Sequence, residues 1–256
     1  MARTIIDVHS HIGTTITSGV GQDVATWLKG MDVAGIGQSI ISTAAGGMQA
    51  GGLADTRAMN DIIAGAVRQY PDRFPIGLAG IEVRHGEAGH AEVRRALGEL
   101  GLKGMVFHAT FEGFTVDSPA FHAVLAAAGG KQALILLHST PDGRANPTAI
   151  AAVAAKFPNL TIMLGHAVFT EGQRQQAVDA LKAHSNLLLD LAYQDDPATT
   201  EFFVKGVGAD RVFYGSDAPY FEPAKVIASI DKADISAADR DKILSGNAQR
   251  LIAQFS

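Results

Sequence analysis

Short continuous apolar runs recur along the chain, each followed by a longer stretch with helical spacing of its apolar positions. The runs are Thr4–Val8, Gln38–Ser42, Ile76–Glu82, Leu102–Phe107, Leu134–Leu137, Leu160–Leu164, Leu187–Leu191 and Val212–Tyr214. Their brevity and lack of alternation predict strands buried on both faces. Helices are predicted between them, over residues 23–35, 54–70, 87–100, 118–128, 147–156, 171–184 and 198–206. Two more, over 223–229 and 236–255, follow the last strand. Ser236 suits an N-cap, and Pro147 and Pro223 suit first-turn positions. Strands that alternate with helices predict a parallel sheet under helical cover. Eight such units over residues 1–256 predict one α/β domain, a closed (β/α)8 TIM barrel. The alternative is an open doubly wound sheet. Its dinucleotide form needs a glycine-rich loop after the first strand, where this chain instead has Asp7-Val8-His9-Ser10-His11. The glycine-rich stretch Gly46–Gly52 follows the second strand and reads as a loop over a site.

Composition narrows the chemistry. Of 256 residues, 47% are hydrophobic and 18% charged, which is enough apolar material for one large core. The net charge of −5 and the lack of a basic stripe exclude nucleic acid as an expected partner. There is no cysteine, so a thiolate nucleophile, a disulfide framework and any Cys-containing zinc site are excluded. No apolar run reaches the length of a membrane span, and the first residues are too short and too soon polar to be expected as a signal peptide. The expectation is a cytoplasmic protein that acts on a small molecule and makes no membrane contact.

In a barrel of this kind, chemistry sits at the C-terminal ends of the strands. Nine histidines occur in the chain, and five fall there: His9, His11, His108, His138 and His166. Asp217 ends the eighth strand. His9 and His11 are two apart on a strand, so they share a face. Each alone reads equally well as a core residue or, for Asp217, as a helix cap. Together, His9, His11, His138 and Asp217 supply the three or four nitrogen and oxygen donors that a divalent ion takes. His166 stands next to them as a group that orients water or moves a proton.

The motifs Asp7-Val8-His9-Ser10-His11, Gly101-Leu102-Lys103-Gly104 through His108, Leu137-His138, Gly165-His166 and Gly215-Ser216-Asp217-Ala218-Pro219 occur in this order. With Ile243–Leu251 near the end, they make the chain resemble the amidohydrolase superfamily, in the branch that includes aminocarboxymuconate-semialdehyde decarboxylase. The resemblance implies one divalent metal, zinc first and manganese second, held by His9, His11, His138 and Asp217. It implies His166 as the acid/base, and Asp217 as a ligand that also takes part in proton transfer. A homodimer is a family-level expectation. Where binuclear relatives bridge two metals at the fourth strand, this chain has His108, read as a substrate contact or a residue behind one. Lys103 lies five residues earlier, on the opposite parity. Arg84 and Arg144 are expected in loops on the catalytic side, where they could bind a substrate carboxylate. Phe111, Phe114, Tyr193, Tyr220 and Phe221 are candidates for the pocket wall. Short loops favour a metal-dependent hydrolase of an ester, lactone or amide. The alternative is a non-oxidative decarboxylase of an aromatic or unsaturated acid, and a catalytically idle binding barrel is a third reading.

Overall fold

Strand β1 (Ile5–Thr14) contains the His-x-His motif, as expected, and runs on past it to Thr14. In the computed structural model, which describes residues 4–15, 18–44, 50–166 and 169–255, it is followed by a two-residue strand β2 (Gly21–Gln22) and helix α1 (Val24–Ala34). The chain then alternates: β3 (Ile36–Thr43), α2 (Leu53–Gln69), β4 (Gly77–Gly80), α3 (Gly86–Gly98) and β5 (Gly104–Phe107). Two helices, α4 (Ala109–Glu112) and α5 (Pro119–Ala126), lead to β6 (Leu134–His138), α6 (Pro147–Lys156), β7 (Thr161–Gly165) and α7 (Glu171–Ala183). Strand β8 (Leu187–Asp190), α8 (Pro197–Val207) and β9 (Val212–Phe213) follow, and α9 (Pro223–Lys232), α10 (Ala237–Asp241) and α11 (Asn247–Phe255) end the chain. Of the Gly46–Gly52 loop, residues 46–49 lie outside the described residues.

One nine-stranded sheet has the order β2-β1-β3-β4-β5-β6-β7-β8-β9. Eight of its strands, β1 and β3 to β9, run parallel through seven pairings, and only β2 is antiparallel, against β1. The sheet is curled, and its ladder order is open, ending on the two-residue β9; the expected eight-stranded closed barrel is to this extent corrected. The segment after β9 nevertheless meets β1. Val8 N–H donates to Tyr214 O at 3.1 Å, Asp217 N–H to His9 O at 2.8 Å, and His11 N–H to Ala218 O at 2.8 Å.

The helix signals act as expected. Ser236 Oγ accepts from Asp239 N–H, Ser118 and Asn146 cap α5 and α6, and Pro147 and Pro223 occupy first turns. The single helix expected over 236–255 is instead split by a wide turn, Lys242–Gly246. That turn leaves Ile243 O free to accept from Tyr214 N–H at 2.9 Å, tying the chain's end to β9.

Two cores result. Most of the apolar side chains lie between sheet and helices, around Ile41, Met105, Ile135, Ile162 and Leu189. A smaller core on the inner face joins Ile6, Val8, Ile40, Leu78, Val106, Leu136, Met163 and Phe213 to Ala248, Leu251 and Phe255 of α11. Helix α11 therefore packs beneath the curled sheet and gives it an apolar floor. No helix among the described residues is long and apolar enough to cross a membrane.

Candidate metal centre

Strand β1 carries an extra residue between Asp7 and Ser10 relative to β3: Asp7 pairs Ser39, but Ser10 pairs Ile41. This bulge changes the face each position presents. Before it, Ile6 and Val8 point to the inner core; after it, Ile12 belongs to the outer one, and His9 and His11 reach the inner face. Asp7 Oδ1 accepts from both His9 N–H (2.9 Å) and Ser216 N–H (3.0 Å), which fixes the bulge to the segment after β9. On β6 no such device is needed. Leu134 and Leu136 face inward, and His138 follows them at the strand's period of two.

The four expected donors are brought together. Ligand atoms of His9, His11, His138 and Asp217 all lie within 4.8 Å of one another, and all four residues are buried. His9 Nε2 is 3.0 Å from His11 Nε2 and 2.9 Å from His138 Nε2. Asp217 Oδ1 lies 3.1 Å from His11 Nε2 and 3.3 Å from His9 Nε2. Each imidazole turns its other nitrogen outward to an acceptor. His9 Nδ1 donates to Asp190 Oδ2 (2.8 Å), His11 Nδ1 to Thr43 O (3.0 Å) and His138 Nδ1 to Phe107 O (2.8 Å). With the ring proton on Nδ1, three Nε2 lone pairs and a carboxylate oxygen face one point. Such a convergence is repulsive by itself and suits a cation. Donors at ~2.0–2.2 Å from one ion stand roughly 3 Å apart, as these do.

Charge follows burial and these contacts. Burial works to raise the Asp217 pKa, but the adjacent His166 and the bonds from His11, His166 and His9 hold it well below the usual carboxylate range. Burial holds His138 well below the ordinary imidazole value, and the surrounding histidines add to this. His9 differs: burial opposes its charged form, yet Asp190 and Asp217 overcome this and lift its pKa to about 10. A metal ion entering the site displaces that proton.

Asp190 was not singled out by the sequence, although a lone carboxylate in the apolar run Leu187–Leu191 is the same signal that marks the histidines. Gly215 gives His9 its room, since a Cβ there would stand 2.7 Å from His9 Cβ. His166, Tyr193 and Asp217 have φ values of 62°, 63° and 63°; they are the non-glycine residues with left-handed backbone among those described, and all follow strands at this end of the sheet.

The donor group opens into a cavity of about 270 Å³ lined by His108, Phe111, His138, His166, Phe169, Tyr193, Asp217, Tyr220, Thr15 and Ser18. His166 Nε2 is 3.3 Å from Asp217 Oδ2. His108 and the aromatics Phe111, Tyr193 and Tyr220 are thus placed at the cavity, as is Phe169, which the sequence reading missed. Phe114 instead packs in the core against Phe107 and Phe121, and Phe221 stands behind Tyr193. Neither arginine lines the cavity. Arg84 donates to Glu82 at 2.7 Å, and Arg144 lies 3.4 Å from Asp142. Lys103 precedes β5, at the opposite end of the strand from His108. Among the described residues there is one group of side chains suited to a metal ion.

Known proteins bear on what such a site does. The chain is 26% identical over 233 residues to a 2-amino-3-carboxymuconate-6-semialdehyde decarboxylase of Dictyostelium discoideum, over 74% of this chain and 64% of that protein. Its fold matches a 5-carboxyvanillate decarboxylase of Sphingomonas paucimobilis with a TM-score of 0.78, at 19% identity, over 98% and 99% of the two chains. It also matches a dihydroxybenzoic acid decarboxylase of Polaromonas sp. JS666 with bound manganese, with a TM-score of 0.74 at 20% identity, over 100% of this chain and 98% of that one. These relatives are decarboxylases, which overturns the expectation of a hydrolase drawn from short loops. The pattern of the amidohydrolase family spans residues 6–253, and the chain belongs to that family.

Proposed function

We propose that this chain is a metal-dependent, non-oxidative decarboxylase of a small aromatic or unsaturated carboxylic acid. The observation that carries this reading is the buried donor group on the floor of a small cavity walled by aromatic rings. At about 270 Å³, the cavity lies just below the ~300–1,000 Å³ usual for small-molecule sites, a size for a single ring. The named activities of the relatives favour decarboxylation. We also infer that the bonds between β1 and residues 214–218 close the curled sheet into a (β/α)8 barrel.

His9, His11, His138 and Asp217 would hold the ion, with manganese favoured over zinc by the relative that contains it. When bound, the ion supplies a positive charge that orients a carboxylate and stabilises developing negative charge. The protein does the rest. Asp217 divides its oxygens: Oδ1 faces His9 and His11, and Oδ2 faces His166 Nε2. His166 Nε2, 3.3 Å from Asp217 Oδ2, stands beside the cavity, where a proton delivered by this pair can pass to a substrate carbon. The substrate's π electrons form the new C–H bond; the bond from that carbon to the carboxylate then breaks, its electron pair restores the π system, and CO2 leaves. Phe111, Phe169 and Tyr193 keep the ring in place and water out.

The test is to load the protein with Mn2+ and incubate it with ring-hydroxylated benzoic acids and unsaturated acids in D2O. About one ion per chain, lost in His138→Ala, is expected. One CO2 should appear per decarboxylated product, with one deuterium at the carbon that lost the carboxylate. Metal-loaded protein that releases no CO2 from any acid would overturn the reading.

A further inference from the structure

The cavity over the donor group has an unusual charge inventory for a site that takes acids. Among the described residues, no lysine or arginine lines it. The undescribed segments 16–17, 45–49 and 167–168 contain neither residue type; Arg3, the one basic residue outside the described set, precedes the start of β1. Arg84 and Arg144, the arginines expected to meet a substrate carboxylate, are turned to acids elsewhere. Asp217 and Asp190 flank His9 at 3.3 and 2.8 Å and together match the charge of a divalent ion. A second carboxylate on a substrate would be desolvated here with no cation to meet it.

His108 supplies a different kind of contact. It closes β5 and caps α4: its Nδ1 accepts from Phe111 N–H at 3.4 Å, and its backbone N–H donates to Glu112 Oε1 at 2.8 Å. Its ring lies flat on Phe111, with centroids 3.9 Å apart and planes at 14°. This is a reciprocal cap with an imidazole in the place of a hydroxyl. Because Nδ1 is an acceptor, the proton of the neutral ring sits on Nε2. The ring lines the cavity, and Nε2 has no hydrogen-bond partner among the described residues. Burial, with His166 adding to it, takes the His108 pKa down to about 3, in keeping with a neutral ring.

We propose that the site selects monocarboxylates bearing a neutral oxygen acceptor such as a ring hydroxyl, which His108 Nε2–H binds, and rejects dicarboxylates. Glu112 and the Phe111 backbone are the positioning groups that present that donor. The inference rests on the decarboxylase reading for its class of acid. The ranking itself is measured by binding, so a protein that never releases CO2 would remove that reading and leave the ranking standing or falling by itself.

The experiment is calorimetric titration of the Mn2+-loaded chain with benzoate, the three hydroxybenzoates and the three benzenedicarboxylates. The best hydroxybenzoate is expected to bind at least tenfold more tightly than both benzoate and the best dicarboxylate. In His108→Ala the hydroxybenzoate should fall to the level of benzoate, and in His108→Gln, which keeps an N–H donor, it should recover in part. His108→Lys, which adds the missing cation, should improve dicarboxylate binding at least tenfold. Bound metal per chain reports that each variant has folded. A smaller preference in the unmodified protein, undetectable binding of all seven acids, or a preference that survives His108→Ala in metal-loaded protein overturns the proposal.

Discussion

Asp190 stands behind His9, 2.8 Å from Nδ1, and its other oxygen accepts from Ala192 N–H at 3.0 Å. It fixes the tautomer of His9 and so aims the Nε2 lone pair at the other donors. Asp190→Asn keeps the shape and loses the charge; Mn2+ should then bind roughly 10- to 100-fold more weakly, read by titration of metal-free protein. An unchanged Kd would mean that Asp190 only fills space. The donors themselves were legible because a histidine at the end of an apolar strand is costly to bury without a purpose. Asp190 carries the same signature, a single charged group inside the apolar run Leu187–Leu191, but spacing alone does not show that it stands behind His9. The bulge at Asp7–Ser10 was not legible, since inserting one residue into a strand leaves no mark in composition. It also decides which face His9 shows, so spacing alone could put His9 and His11 on one face without saying which.

Joints between strand and helix set the remaining side chains. Helix α4 is four residues long and is capped by an imidazole, so neither its length nor its cap matched any helix signal in the sequence. Its Glu112 reaches back to His108 N–H, and the other carboxyl oxygen is buried without a hydrogen-bond partner among the described residues. Burial, reinforced by nearby Glu82, lifts the Glu112 pKa to about 8, against roughly 4.3 in an unfolded chain. Between these values the folded state holds the extra proton. The stabilisation is complete below the unfolded pKa and is lost as pH rises through about 8. Urea unfolding at pH 5 and pH 8 checks this. The unmodified chain should lose stability over that interval, and Glu112→Gln, which cannot ionise, should lose less. Parallel losses would show that Glu112 titrates alike in both states. The long helices were legible through their caps and prolines. The division of the last one was not, because it depends on Tyr214 N–H finding Ile243 O across the fold.

At the scale of the whole chain, the order of eight parallel strands and the end of the sheet that carries the chemistry could be read from alternating patterns and the placement of histidines. The reaction could not. The same donors serve an acid that loses CO2 and an ester that takes up water, and loop length does not report which carbon lies over them. The floor of the curled sheet is closed by Leu251 and Phe255 of α11 packed against Ile6, Val8 and Phe213. The cavity therefore has its mouth on the strand-end side, framed by half-exposed Phe111, Phe169 and Tyr193. Traffic through such a chamber is single file. Under the proposed reaction, CO2 slips out past the ring, and the next acid waits until the spent arene has vacated the doorway. The arene should thus inhibit competitively against the acid in steady-state rates. A noncompetitive pattern would reveal a back exit through the floor.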